Sequence, residues 1–248
     1  MTEMPRRIPA ELFFLKADFG ERFCLYHLPH PDRKCRGGLI YVHPFGDEMN
    51  KARRMAALQA RTFAAMGFGV LQMDLFGCGD SSGEFAEARW NIWKQDLVMA
   101  RNWLGHRVTA PVSLWGLRLG ALLALDFARS SDHAIDRIIL WQPVISGESF
   151  LTQFLRLRLA NEMLSIADTE KSTGTNTMRA SLKAGNALEV AGYELAPELA
   201  AAIDGLKAAD FIVTKKPVHW FEIVAEPGRP MTPAGAKVIS VWKQQEVD

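Results

Sequence analysis

The sequence is short of cysteine, of charge of either sign in excess, and of long apolar runs, and each shortage excludes a class of protein. Its three cysteines, Cys24, Cys35 and Cys78, are an odd set without CxxC spacing, so neither a disulfide framework nor a zinc site is expected. A net charge of +1 gives no electrostatic reason for nucleic acid or an anionic membrane as the main partner. No run stays apolar long enough to span a bilayer. The opening "MTEMPRRIPAELFFLKADFG" is interrupted by Glu11 and Lys16, unlike a secretory signal. The expected setting is the cytoplasm, with no membrane span, no metal and no cofactor.

What is present suits one large core. A chain of 248 residues that is 48% hydrophobic is expected to fold as a single domain over 1–248. "ELFFLKADFGERFCLYHLP" reads as two strands around a turn at Gly20, an antiparallel hairpin. Strand-like "GGLIYVHP", "GVLQMDL", "PVSLWGL" and "DRIILWQPV" then alternate with helix-like stretches. In the first of these helices Met55, Leu58, Thr62 and Met66 recur at helical spacing, and Gly67 closes it. In the second, Ile92, Leu97, Ala100 and Leu104 fall on or near one face. Such alternation predicts an α/β fold with a mostly parallel sheet and helices on both faces.

The pattern changes over about 147–210, which reads as a helical cap inserted over one end of the sheet. "FLTQFLRLRLANEML" is helical, "ADTEKSTGTNT" is a polar connection, and "APELAAAIDGLKAAD" is helical with Pro197 near its start. The stripe Phe150, Phe154, Leu157 and Leu164 is expected to pack the cap onto the core or to line an acyl or peptide groove. "KPVHWFEIVAE" returns to the sheet, and Thr232 caps a last helix with Pro233 in its first position. Trp115, Trp141, Trp220 and Phe221, all in strands, are expected in the core.

Three landmarks carry a resemblance: "YVHPFGDE" after the third strand, "DLFGCGDSSG" after the fourth and "GLRLG" after the fifth. In this order they resemble the α/β-hydrolase superfamily over nearly the whole chain. The wording of "HPFGDEMNKARRM" and "RIILWQPVISG" is similar to the exosortase A system-associated hydrolase 2 group. That resemblance implies a bacterial PEP-CTERM setting, in which proteins with a short carboxy-terminal sorting signal are handled and exopolysaccharide is made.

The resemblance makes "GLRLG" a nucleophile elbow with Arg118 in the serine position. Gly116 and Gly120 suit a tight strand-to-helix turn that lifts the middle side chain above the sheet. The backbone N–H groups of Leu119 and Phe45 are the expected oxyanion donors. A guanidinium offers only donors and no lone pair for attack, so acyl-enzyme chemistry at position 118 is excluded. Glu226 matches the acid position, but all six histidines precede it, so none follows where the family places its general base. The resemblance implies that this histidine sits on a further strand after the last helix, and that strand is expected to be missing here.

Two readings of Arg118 stand: it neutralises Glu48 or Asp47 and closes a dead pocket, or it binds a carboxylate or phosphate at a helix start. Around it, Glu48 and Asn50 are placed to reach the elbow, Gln142 to reach the pocket, and His43 to donate into it or to fix its own loop. Asp74 and its glycines read as a structural turn, and Cys78 as an unactivated thiol. The expected function is binding of an anionic or acyl-bearing small molecule. The alternatives are a hydrolase or acyltransferase in which Glu48, His43 or Glu226 activates water, and an interaction protein. The last would use "PVHWFEIV" as an open sheet edge for a homodimer or an exosortase-system partner.

Overall fold

The computed structural model describes residues 9–129, 134–164, 174–245 and 247. The chain opens with the hairpin β1 (Glu11–Lys16) and β2 (Glu21–His27), turned by Gly20 at φ 72. It continues through β3 (Gly37–Val42), α1 (Asp47–Ala65), β4 (Phe68–Met73), α2 (Trp90–Arg107), β5 (Val112–Leu117), α3 (Leu119–Arg129) and β6 (Ile138–Trp141). The insertion holds α4 (Gly147–Leu164), α5 (Thr175–Lys183), a small hairpin of β7 (Leu188–Val190) and β8 (Tyr193–Leu195), and α6 (Pro197–Asp204). The chain then returns through β9 (Val218–Phe221) and α7 (Pro233–Gln244).

The seven-stranded sheet runs β1-β2-β4-β3-β5-β6-β9. β2 is antiparallel to β1 and β4, while β3, β4, β5, β6 and β9 are parallel. This is the α/β-hydrolase fold. Among the described residues no strand lies outside β9. β3 and β5 are buried along their whole length, which explains their unbroken apolar sequence.

Strand alternation divides the core. Ile40, Val42, Leu71, Met73 and Leu114 face a large cluster with α2, α3, α7 and the cap, whereas Leu39, Tyr41, Val70, Trp115 and Leu117 face α1. Among the described helices only α1 covers that second face.

This arrangement corrects three expectations. Met55, Leu58 and Met66 do not form the contact face of α1; they are exposed, and Ala56 and Ala60 are fully buried. A helix lying close on a sheet needs small residues at the contact. Phe221 is not core but 55% exposed, because β9 is the edge strand and α1 does not extend over it. In the cap Phe150 and Phe154 are buried with Leu151 and Leu155, but Leu157 is 46% exposed because it turns off that face. Leu164's side chain and residues 167–173 of the polar connection lie outside the described residues. The rest of that connection is not loop: α5 begins at Thr175, and neither it nor the β7–β8 hairpin was legible as a periodic pattern. The predicted last helix is present, with the Thr232 hydroxyl accepting from the Gly235 N–H at 3.2 Å.

One buried ion pair ties the hairpin to the helical layer. Arg22 Nε donates to Asp96 Oδ1 at 2.8 Å, and both side chains are almost fully enclosed. Asp96 Oδ2 accepts from the Phe76 N–H at 2.8 Å, and Arg22 also donates to Phe19 O and lies over the Phe76 ring. β2, α2 and the loop after β4 therefore meet at two side chains that sequence periodicity did not single out. Arg22→Ala strands the Asp96 carboxylate and is expected to cost about 3–5 kcal/mol in urea unfolding.

Burial pushes the Asp96 carboxyl up to about 6, against the opposing pull of the Phe76 N–H and Arg22. A carboxyl whose folded pKa exceeds its unfolded value supports the fold fully below about pH 4 and loses that contribution as pH rises through about 6. Asp96→Asn is expected to remove this component from the stability profile between about pH 4 and 7, measured by denaturant unfolding.

Candidate functional site

The site is built where β5 turns into α3. Arg118, the residue between them, has φ 55, a left-handed conformation uncommon outside glycine. Its backbone is held on three sides: its N–H donates to Trp141 O, and its carbonyl accepts from the Ala121 and Val144 N–H groups. The flanking glycines are steric requirements. A Cβ at Gly116 would lie 2.6 Å from Ala121 Cα, and one at Gly120 would lie 2.3 Å from Val42 O and 2.4 Å from His43 O. α3 can thus start directly against the end of β3 with Arg118 raised between the two. Gly120→Ala is expected to destabilise by about 1–3 kcal/mol through this overlap, read as a lower Tm.

The Arg118 side chain reaches Glu48 in the first turn of α1. Its Nε lies 3.2 Å and its Nη2 3.1 Å from the same oxygen, Glu48 Oε1. With 30% and 38% of the two side chains exposed, the pair adds at most about 1 kcal/mol to stability. The other neutralising candidate, Asp47, is instead paired with Lys51 one turn further along α1, at 2.6 Å.

The loop between β3 and α1 carries the remaining predicted residues, and His43 is spent on its structure. Its Nδ1 donates to Pro44 O at 2.7 Å and its Nε2 accepts from the Leu75 N–H at 3.2 Å. Burial holds its pKa below the usual histidine range, so the ring is neutral, with both nitrogens occupied. It can neither donate into the pocket nor serve as general base. The Phe45 side chain is a hub for the cap, with ring centroids 5.6 Å from Phe150 and 5.0 Å from Phe154. Among the described residues neither the Phe45 nor the Leu119 N–H donates a hydrogen bond. Beneath this loop lies a void of about 10 Å³, bordered by His43, Phe45, Cys78, Leu119 and Gly120, with room for about one water. Burial pushes the Cys78 thiol up, so it stays protonated and unreactive.

Three other expectations are corrected. Gln142 does not reach the pocket: its side-chain oxygen accepts from the Ile223 N–H at 2.7 Å, fastening the chain where it leaves β9. Asn50 turns away from the elbow and donates to the Tyr193 hydroxyl at 3.2 Å, joining α1 to the cap hairpin. Glu226 is exposed in the loop after β9, where its carbonyl accepts from the Arg229 N–H. The acidic residue with structural work there is Glu222, which sequence reasoning passed over. Its oxygens accept from Trp220 Nε1 at 3.0 Å and from the Thr232 N–H at 2.9 Å, anchoring the start of α7.

Asp74 is a turn residue, as its glycines suggested. It accepts from Arg53 at 2.9 Å and from the Asp80 N–H at 3.0 Å, and a Cβ on Gly79 would collide with it. Among the described residues no cluster of three or more potential metal ligands occurs, and no helix is long and apolar enough to cross a membrane.

With this geometry in view, the comparisons with known proteins agree on the architecture. The family model Hydrolase_4, described as "Serine aminopeptidase, S33", matches residues 33–191. No curated protein matches the chain. Among solved structures, a highly thermostable carboxyl esterase from Bacillus coagulans, in complex with glycerol, is 14% identical, with TM-score 0.64, covering 97% of this chain and 88% of that one. Est1E from Butyrivibrio proteoclasticus is 16% identical, with TM-score 0.60, covering 95% and 85%. Alpha/beta hydrolase domain-containing protein 10 from mouse is 17% identical, with TM-score 0.57, covering 96% and 87%. At these identities the likeness concerns the fold alone.

Proposed function

The chain belongs to the Hydrolase_4 family, serine aminopeptidase S33, and we propose that it uses the family's elbow to bind a small anionic or acyl-bearing ligand without forming an acyl-enzyme. The observation that carries this reading is Arg118 itself. A guanidinium stands at the serine position, at the start of an 11-residue helix and next to the Leu119 N–H. Helix N-termini favour anions through their free N–H groups and dipole, and a guanidinium adds charge and a planar donor array. The wording of "HPFGDEMNKARRM" and "RIILWQPVISG" supports placing the protein beside an exosortase A system.

A second reading, hydrolysis by directly activated water, now depends on Glu48. His43 is occupied by the backbone and Glu226 stands in solvent. In favour of this reading is the short Arg118–Glu48 bridge, which puts a carboxylate beside a cation able to stabilise a developing oxyanion.

Thermal unfolding with added short-chain carboxylates and phosphate separates the two. At a concentration of about 100 Kd a binding anion is expected to stabilise by about 2.7 kcal/mol, and Arg118→Ala to abolish the effect. Unchanged stabilisation in that variant contradicts anion binding at the elbow. Ester or thioester hydrolysis that disappears with Arg118→Ala favours the second reading.

A further inference from the structure

The total charge of +1 conceals an uneven distribution. Residues 32–66 hold seven arginines and lysines against three acids, a net charge of +4 that the rest of the chain offsets. α1 sorts these charges by face. Ala56 and Ala60 are buried against the sheet, while Met55, Leu58, Thr62 and Met66 run along the opposite side at three- and four-residue spacings, all exposed. Arg54 and Arg61 flank this stripe and are exposed with it. Among the described helices only α1 covers its face of the sheet, so the stripe is the outermost layer there. The loop before β3 adds to it: the Arg36 N–H donates to Gly67 O and the His30 N–H to Ala64 O, which brings exposed Arg33, Lys34 and Arg36 to the end of α1. Asp47 is held by Lys51 and Asp32 lies beside His30, and among the described residues no carboxylate pairs with Arg33, Lys34, Arg36, Arg54 or Arg61.

Five cations without acidic partners, beside three exposed apolar side chains, describe the occupant. A second copy of the chain is disfavoured, because a two-fold contact sets the same patch against itself and like charges would meet. A nucleic acid would use the cations but leave Met55, Leu58 and Met66 against phosphate and water. An anionic bilayer surface uses both groups. Its phosphates accept from the guanidinium N–H donors, and the methionine and leucine side chains enter the boundary between head groups and acyl chains. We propose that α1 lays its outer face on an anionic phospholipid membrane, with Arg33, Lys34 and Arg36 as a second basic contact. Docking of this kind requires no membrane-crossing helix, and none occurs among the described residues. Glu48, the partner of Arg118, lies outside the stripe, so this proposal stands apart from the anion-binding reading.

The test is co-sedimentation of the full chain with vesicles of phosphatidylcholine alone and of equimolar phosphatidylcholine and phosphatidylglycerol. The mixed vesicles are expected to bind the protein and the neutral ones to leave it in solution, with binding falling as salt rises from about 0.05 to about 0.5 M. Arg54→Gln combined with Arg61→Gln is expected to weaken binding about 25-fold, since each cation near an anionic leaflet contributes about fivefold. Leu58→Ser is expected to weaken it about fivefold while leaving retention on heparin unchanged, with folding checked by circular dichroism. Equal binding to both kinds of vesicle, or to neither, overturns the proposal. Vesicle binding that Leu58→Ser leaves intact marks a general polyanion surface and overturns it as well. A dimer in sedimentation equilibrium that Leu58→Ser dissociates assigns the stripe to a second copy, against the proposal. The vesicle comparison uses the unaltered protein and holds even if a variant does not fold.

Discussion

At φ 55 the Arg118 backbone occupies a conformation that costs a non-glycine residue on the order of 1 kcal/mol or more, and it persists only because its surroundings leave no alternative. The N–H is claimed by β6 through Trp141 O, and the carbonyl by Ala121 and Val144. Gly120 sits so near the β3 carbonyls that the start of α3 has no lateral freedom. β3, β5 and β6 end together around this junction, and the chain leaving β6 towards the cap is tied to it by the Val144 N–H. The side chain raised at this costly turn is a cation, Arg118, paired with Glu48.

Much of this was legible, for physical reasons that differ from residue to residue. Gly116 and Gly120 were readable because close backbone approach allows no Cβ, and that requirement also places the residue raised between them. Glu48 was readable as a partner because its helix begins just after a loop that must pass the elbow, but sequence could not choose it over Asp47. The structure chooses it, since Asp47 is held by Lys51. His43 was readable in its structural role, and its two backbone contacts leave no other.

What stayed hidden depends on distant partners or on neighbouring layers. The Arg22–Asp96 pair joins residues 74 apart, and a lone aspartate in a helical stretch resembles a solvated one. Met55 and Leu58 mark an apolar stripe that periodicity favours, yet the contact face of α1 is alanine, and no hydropathy pattern distinguishes a close approach from an exposed stripe. Glu222 and Glu226 are equivalent by position after the strand. Only the return of the chain at Thr232 makes the first an anchor and leaves the second in solvent. A shared fold therefore settles architecture, and the chemistry must be argued from the site.

The central claim is that an elbow carrying an Arg118–Glu48 bridge binds its ligand without covalent capture. Incubation with a fluorophosphonate probe, followed by intact-protein mass measurement, tests this most directly because the probe reports any activated nucleophile in such a site. The account predicts an unchanged mass under conditions that fully label a serine hydrolase. A stoichiometric phosphonate adduct within the elbow or its loop would contradict it.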